Sequence, residues 1–184
     1  MQLHTNGFLL RPLVAGDAPA MATAVRESMA SLGKWTNWAH PDYDEADARD
    51  WIAFCANAQA DGSACEFGIF RPDAGFVGAA GLSQFNRPNN FCNLGYWVRE
   101  AARRQGAALA AIDAIARHAF DRLALTRVEI VVADGNLPSL ALARKAGATL
   151  ECLARNRLML HGRPVAAHVL SLLPDAFPAD AADD

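Results

Sequence analysis

The chain has no apolar stretch approaching the ~20 residues needed to span a bilayer. The longest candidates, Ala107 to Ile112 and Val165 to Leu173, fall well short of that length. The N-terminus shows no charged region leading into an apolar one, so no signal peptide is expected, and a cytoplasmic location without membrane association follows. The four cysteines, Cys55, Cys65, Cys92 and Cys152, are widely separated and form no C-x-x-C. They read as reduced core thiols. Nor do the five histidines form an H-x-x-x-H pair or a Cys/His cluster, so no metal site is expected. A formal net charge of −3 and a pI near 5.9, with no basic face, argue against a nucleic-acid partner. There is no G-x-x-x-x-G-K-[ST], which excludes a P-loop nucleotidase, and no G-x-G-x-x-G after a strand, which excludes a dinucleotide fold.

What remains is a globular composition of 184 residues, enough for one domain with a substantial core. Residues 1–174 read as that domain and 175–184 as an acidic tail. Turn residues and apolar periodicity mark the elements. Phe8 to Leu13 is a strand, and a helix from Gly16-Asp17 stops near Gly33. Asp44-Glu45-Ala46-Asp47 opens a second helix, its acidic first turn suiting the helix dipole. Glu66 to Arg71, Phe76 to Phe85 and Phe91 to Val98 form a meander, then a central helix starts at Ala107. The β-branched run of Arg127 to Ala133 is an interior strand, Ser139 to Lys145 a short helix, and Thr149 to Leu160 and Pro164 to Leu173 the last strands. The expected fold class is α/β: a mixed sheet of about seven strands with helices on both faces.

The junction between Val98 and the central helix is suited to an anion. Apolar residues at Leu109, Ile112, Ile115, Ala116, Ala119 and Phe120 define one buried helical face, so Arg103-Arg104-Gln105-Gly106 ends at a helix N-terminus. The first-turn amides there lack intrahelical acceptors, and the dipole adds positive potential. A phosphate can occupy such a position, and Gly106, Ala107 and Ala108 keep the approach low.

Arg103 to Ala108 resembles the Q/R-x-x-G-x-G/A coenzyme A loop of the GNAT N-acetyltransferase superfamily. Asn136-Leu137-Pro138-Ser139 and Lys145-Ala146-Gly147-Ala148 resemble that family's N-x-x-S stretch and its following turn. Gly95-Tyr96-Trp97-Val98 and Trp35-Thr36-Asn37-Trp38-Ala39-His40-Pro41 are similar to segments of the RimJ/RimL branch, the ribosomal-protein N-terminal acetyltransferases. The resemblance spans almost the whole chain. It implies the GNAT fold and acetyl-CoA as co-substrate. The pyrophosphate would lie on Arg103, Arg104, Gln105, Gly106, Ala107 and Ala108, and the pantetheine and thioester beside Trp97, Val98, Asn136 and Ser139. Trp35, Trp38 and His40 would shape the acceptor pocket.

Departures from the family pattern matter as well. The tyrosine that many members carry four residues beyond the N-x-x-S serine is replaced by Ala143, and the expected glutamate positions hold Asn93 and Leu158. Candidate catalytic groups are therefore His40, whose side-chain type titrates near ~6.5, and Ser139 or Asn93 orienting a water. A weak base favours an α-amine, with a pKa of ~7.7 to 8.0, over lysine at ~10.4, a difference of roughly 3 to 4 kcal/mol. The expected reaction is direct attack of a primary amine, a protein N-terminus or a small molecule, on acetyl-CoA. The alternatives are a polyamine, amino-acid or antibiotic acetyltransferase, or a coenzyme A-binding module without activity. The protein would act as a monomer or homodimer.

Overall fold

The computed structural model describes residues 1–177, and the expected tail beyond Phe177 lies outside the described residues. The chain opens with a hairpin, β1 (Leu3–Thr5) and β2 (Phe8–Arg11), turned through Asn6 and Gly7, both at positive φ. β1 brings the strands to eight where about seven were expected, because three residues are too few to show an alternation. The expected first helix is in fact two, α1 (Ala18–Glu27) and α2 (Met29–Trp35). They break at buried Ser28, whose hydroxyl donates to the Ala24 carbonyl at 2.7 Å and accepts the Glu100 amide at 2.9 Å. Helix α3 (Glu45–Asp61) is capped by Asp44, which accepts the amides of Ala46 and Asp47, and Asp47 reciprocates to the Asp44 amide.

Strands β3 (Cys65–Arg71), β4 (Gly75–Asn86) and β5 (Phe91–Val98) form the meander, with a bulge in β4 where Gln84 has φ 53°. Helix α4 (Ala107–Arg117) widens into a π turn over His118–Arg122. Then follow β6 (Arg127–Ala133), α5 (Leu137–Lys145), β7 (Thr149–Leu160) and β8 (Arg163–Leu172). A final turn, Pro174–Ala176, leads to Phe177, which is buried against Phe120 with ring centroids 5.5 Å apart.

The strands lie in the order β1-β2-β3-β4-β5-β6-β8-β7, and β5 with β6 is the sheet's parallel pair. Alternation along the strands sends Phe67, Ile69, Leu82, Leu94, Ile130 and Leu170 to the face covered by α4 and α5. There they bury against Ile112 and Ile115, each contributing roughly 1.5 to 3 kcal/mol of apolar transfer. The opposite face packs Ala79, Phe76 and Trp97 beneath Met21 and Val25 of α1 and Ile52 of α3. Pairing between β5 and β6 stops early: Phe91, Cys92 and Asn93 face Arg127, Val128 and Glu129, and Leu94 to Val98 have no partner on that side. β6 meanwhile stays paired with β8 as far as Ala133. The sheet is therefore split beyond Asn93, and the split opens toward the start of α4.

Candidate active site

The loop after β5 is anchored from behind. The Arg99 guanidinium pairs with Glu27 and donates to the Phe76 carbonyl, and the Glu100 amide is held by Ser28. Arg103 has a partner within the loop: its amide donates to the Glu100 carbonyl and its half-exposed guanidinium meets the Glu100 carboxylate at 2.9 Å. The Gln105 side chain is likewise occupied, accepting from Arg71 and donating to the Ala101 carbonyl at 3.0 Å. Arg104, at φ 61°, and Gly106, at φ 89°, turn the chain into α4. A Cβ on Gly106 would meet nothing within 4 Å, so its approach is open. Ala110 donates to Gly106, the first intrahelical bond, which leaves the amides of Ala107 and Ala108 directed off the helix end. This is an oxyanion-ready cradle made of backbone, with Arg104 as the nearby cation that forms no ion pair among the described residues.

The direction of the β5 amides follows from two bonds. Arg99 donates to Val77 of β4 at 2.9 Å, and Thr126 donates to the Asn90 carbonyl at 3.1 Å on the opposite side. Bonding sides alternate along a strand, so Gly95 and Trp97 point their amides at β4, and Tyr96 and Val98 point theirs into the split. Of Trp97 and Val98, the Trp97 amide is committed to the β4 ladder. The free donors come from Tyr96 and Val98.

Tyr96 also supplies a hydroxyl. Its side chain crosses the α4/α5 side of the split and lies 3.0 Å from Ser139 Oγ and 3.2 Å from the Ser139 carbonyl. Burial raises its pKa, the Ser139 bond opposing, so the phenol stays protonated at neutral pH. The position where a tyrosine was expected, Ala143, is buried in the core and faces no cleft. Asn136 caps α5, its Oδ1 accepting the Ser139 amide at 3.4 Å. Asn93 sits at the last paired position of β5, its Oδ1 buried and without a hydrogen bond among the described residues.

On the other face of the same split lies a cavity of about 640 Å³. Exposed Trp38, His40, Trp51 and Phe54 stand at its mouth, and Tyr43, Glu66, Gly95 and Trp97 line it further in. Trp38 packs on Tyr43 and Trp97, with centroids 6.0 and 5.8 Å apart. His40 stands at the rim, 3.4 Å from Asp47. Trp35 does not join them: its ring lies by Gly135, where a Cβ would meet it at 3.7 Å, on the β6 to α5 turn. Helix α2 carries Trp35 away from the loop that carries Trp38. Asn37, between the two tryptophans, ties this loop to the β7–β8 hairpin, donating to Met159 O and accepting the His161 amide.

Glu66 and Tyr96 line the cavity, although sequence reasoning singled out neither. Tyr96 could have been found by counting alternation from Leu94, but Glu66 looked like any acidic strand residue.

A helix N-terminus facing a split sheet, with a lined cavity behind the split, is the arrangement to set against known proteins. The acetyltransferase (GNAT) domain model matches residues 8–149. This chain belongs to the GNAT acetyltransferase family. The GNAT chain is 29% identical over 158 residues, 83% of it and 84% of the relative, to a protein of Bacillus subtilis (strain 168) provisionally named ribosomal N-acetyltransferase YdaF. The structure of a Vibrio cholerae protein, provisionally named a ribosomal-protein-serine acetyltransferase, superposes with a TM-score of 0.85 at 34% identity, covering 95% of this chain and 98% of that one. RimJ of Mycobacterium smegmatis, solved with a CoA disulfide, shares the fold with a TM-score of 0.87 at 22% identity over 98% of this chain and 89% of its own. The GNAT protein is of RimJ/RimL type, an acetyl-CoA-dependent N-acetyltransferase, and the open helix end and unpaired β5 edge fit that co-substrate. Among the described residues no helix is long and apolar enough to cross a membrane.

Proposed function

We propose that this acetyltransferase modifies the α-amine of a protein N-terminus. The observation that carries the reading is the mouth of the cavity. Trp38, Trp51 and Phe54 are all large apolar side chains left exposed, and all three line the same opening. A small polar amine has no use for that surface, whereas the first side chains of a peptide can lie on it. Trp51 and Phe54 stack with centroids 5.4 Å apart, which makes the rim a flat platform. The names of the Bacillus and Vibrio relatives agree with such an acceptor. A cytoplasmic location goes with it.

In this reading the amides of Ala107 and Ala108, with Arg104 and Gly106, hold the pyrophosphate. Each dipole contact contributes roughly 0.3 to 1 kcal/mol. Arg103 and Gln105 brace the loop through Glu100, Ala101 and Arg71. Asn136 shapes the turn beside the pantetheine as the cap of α5. The Tyr96 and Val98 amides face the place where the thioester oxygen gains charge, and a fixed donor there contributes ~2.7 to 4 kcal/mol. The Tyr96 and Ser139 hydroxyls, on the coenzyme side, return a proton to the leaving sulfur. His40 and Trp38 belong to the acceptor mouth, Trp35 to the turn at Gly135, and Asn93 to the hinge where the split begins.

The test is a product assay by mass spectrometry with acetyl-CoA and two acceptor sets: short peptides with free N-terminal Ser or Ala, and spermidine, free amino acids and an aminoglycoside. Acetylation confined to the peptide α-amine supports the proposal. Preferred acetylation of a small amine overturns it.

A further inference from the structure

Three residues stand side by side across three strands. Glu66 of β3 pairs with Gly81 of β4, which pairs with Gly95 of β5. Glu66 and Gly95 line the acceptor cavity, and Gly81 lies between them on the same face of the sheet. The Glu66 carboxyl lies flat over Gly81: a Cβ at that glycine would sit 2.2 Å from Glu66 Oε2. Above Gly95 the space is open, with nothing within 4 Å of a Cβ. Two consecutive glycines therefore clear a trough that runs from the carboxyl to the edge of the split. Since neighbouring strands are ~4.8 Å apart, the carboxyl over β4 is about one strand spacing from Gly95, within reach directly or through one water.

We propose that Glu66 is the catalytic base of this enzyme, receiving through the Gly81–Gly95 trough the proton of the acceptor ammonium. The assignment rests on the N-acetyltransferase reading of the site. In the step, the ammonium gives one proton to the Glu66 carboxylate. The freed nitrogen lone pair forms a C–N bond to the acetyl carbonyl carbon, and the carbonyl π electrons move to oxygen. When the carbonyl re-forms, the C–S bond breaks with its electron pair on sulfur. The second nitrogen proton replaces the one that the Tyr96/Ser139 hydroxyl pair delivers to that sulfur. Glu66 then loses its proton to water in the cavity, so one proton is released per amide formed.

The surroundings suit this work. Glu66 makes no hydrogen bond or ion pair among the described residues, and burial alone raises its pKa to about 7, where a base balances availability against strength. The groups facing it from the packed elements do not compete. The Cys55 thiol on α3 and the Tyr43 phenol on the preceding loop are both pushed up to about 12, chiefly by burial. Asp47 and Asp50 of α3 and His40 stand toward the mouth, and Asp47 is paired with His40. Together the carboxylates make the cavity a site for a cation, the form in which an α-amine arrives. Gly81 and Gly95 also explain why no side chain shields the carboxyl.

The experiment compares wild type with Glu66→Gln and Glu66→Asp. The substrates are acetyl-CoA and an N-terminal Ser peptide, and kcat and KM are followed from pH 5.5 to 9. Glu66→Gln should lose 100-fold or more in kcat and lose the limb that rises through pH 7. It should keep the melting-temperature rise given by acetyl-CoA, and Glu66→Asp should regain part of the rate with the limb restored. Independently of turnover, the infrared difference between the unliganded wild type and Glu66→Gln should show a protonated carboxyl band that disappears with a midpoint near pH 7. Wild-type turnover and an unchanged limb in Glu66→Gln would overturn the assignment and leave the acetyltransferase reading standing. No melting shift with acetyl-CoA and no acetylated amine in the wild type would overturn both.

Discussion

Glu66→Gln carries a stability prediction that needs no substrate. The carboxyl has an ordinary pKa of 4.5 and about 7 in the folded protein, with desolvation as the cause. A carboxyl whose folded pKa lies above its unfolded one holds its proton in the native state where the unfolded chain has lost it. Native protein therefore binds more protons between pH 4.5 and 7, and stability falls as pH rises through that window. The interval of about 2.5 pH units, at 1.36 kcal/mol each, gives about 3 kcal/mol, developing above pH 4.5 and complete above pH 7. Glutamine copies the shape of the neutral acid and cannot ionise, so the variant escapes the loss. Urea unfolding of both proteins at pH 5, 6, 7 and 8, without ligands, should show the variant gaining on wild type by up to about 1.4 kcal/mol per pH unit and then levelling. At pH 8 its melting point should lie about 6 to 12 °C higher relative to the difference at low pH. A difference that stays flat from pH 5 to 8 would mean that the carboxyl ionises freely in water, and the trough argument would fail with it.

Other residues give independent checks. Tyr96→Phe removes the hydroxyl shared with Ser139, and kcat should fall about 100-fold while the melting shift with acetyl-CoA persists, as followed by steady-state kinetics and calorimetry. Gly106→Ala meets no neighbour but must hold φ near 89°, so unfolding should show a loss of ~1 to 2 kcal/mol from backbone conformation alone, together with weaker coenzyme binding. Gly95→Leu should leave coenzyme binding intact and raise KM for the peptide, because it fills the open end of the trough, whereas Gly95→Ala should be stable within ~0.5 kcal/mol. On the uncovered part of the sheet, Glu151 is held down to about 2 by its fork with Arg127 and a bond from Ser171. That contribution is present above the ordinary carboxylate range and lost as pH falls toward 2. Glu151→Gln should therefore cost less than ~1 kcal/mol at pH 7 for this solvent-facing pair, and the difference should shrink in acid and in high salt.

The division between what sequence and structure decide runs along the range of the forces involved. Local patterns were legible: the acidic start of α3 became a capping box, Arg127–Ala133 is the interior strand its β-branched run announced, and the loop through Gly106 ends on a helix as its apolar spacing required. The open helix end at Gly106 was readable for the same reason, because a cradle of backbone amides is built from consecutive residues. The break between α1 and α2 was not, since it depends on Ser28 meeting the Glu100 amide 72 residues away.

The acceptor side is assembled from parts distant in the chain. Glu66 becomes a buried, unpaired carboxyl through the register that sets it across Gly81 and Gly95, and a one-residue slip would turn it to the other face. Tyr96 places a hydroxyl on Ser139, where Ala143 carries none, for a similar reason: β5 parts from β6 after Asn93 and lets a strand side chain reach Ser139 on a different helix. By itself the sequence determined the family, the main elements apart from β1 and the α1/α2 break, and the helix that starts after Gly106, all of which rest on neighbouring residues. Which carboxylate loses its water, which amides face the split and which hydroxyl meets the serine were decided by strand pairing, because desolvation and donor direction exist only once the sheet has closed around them.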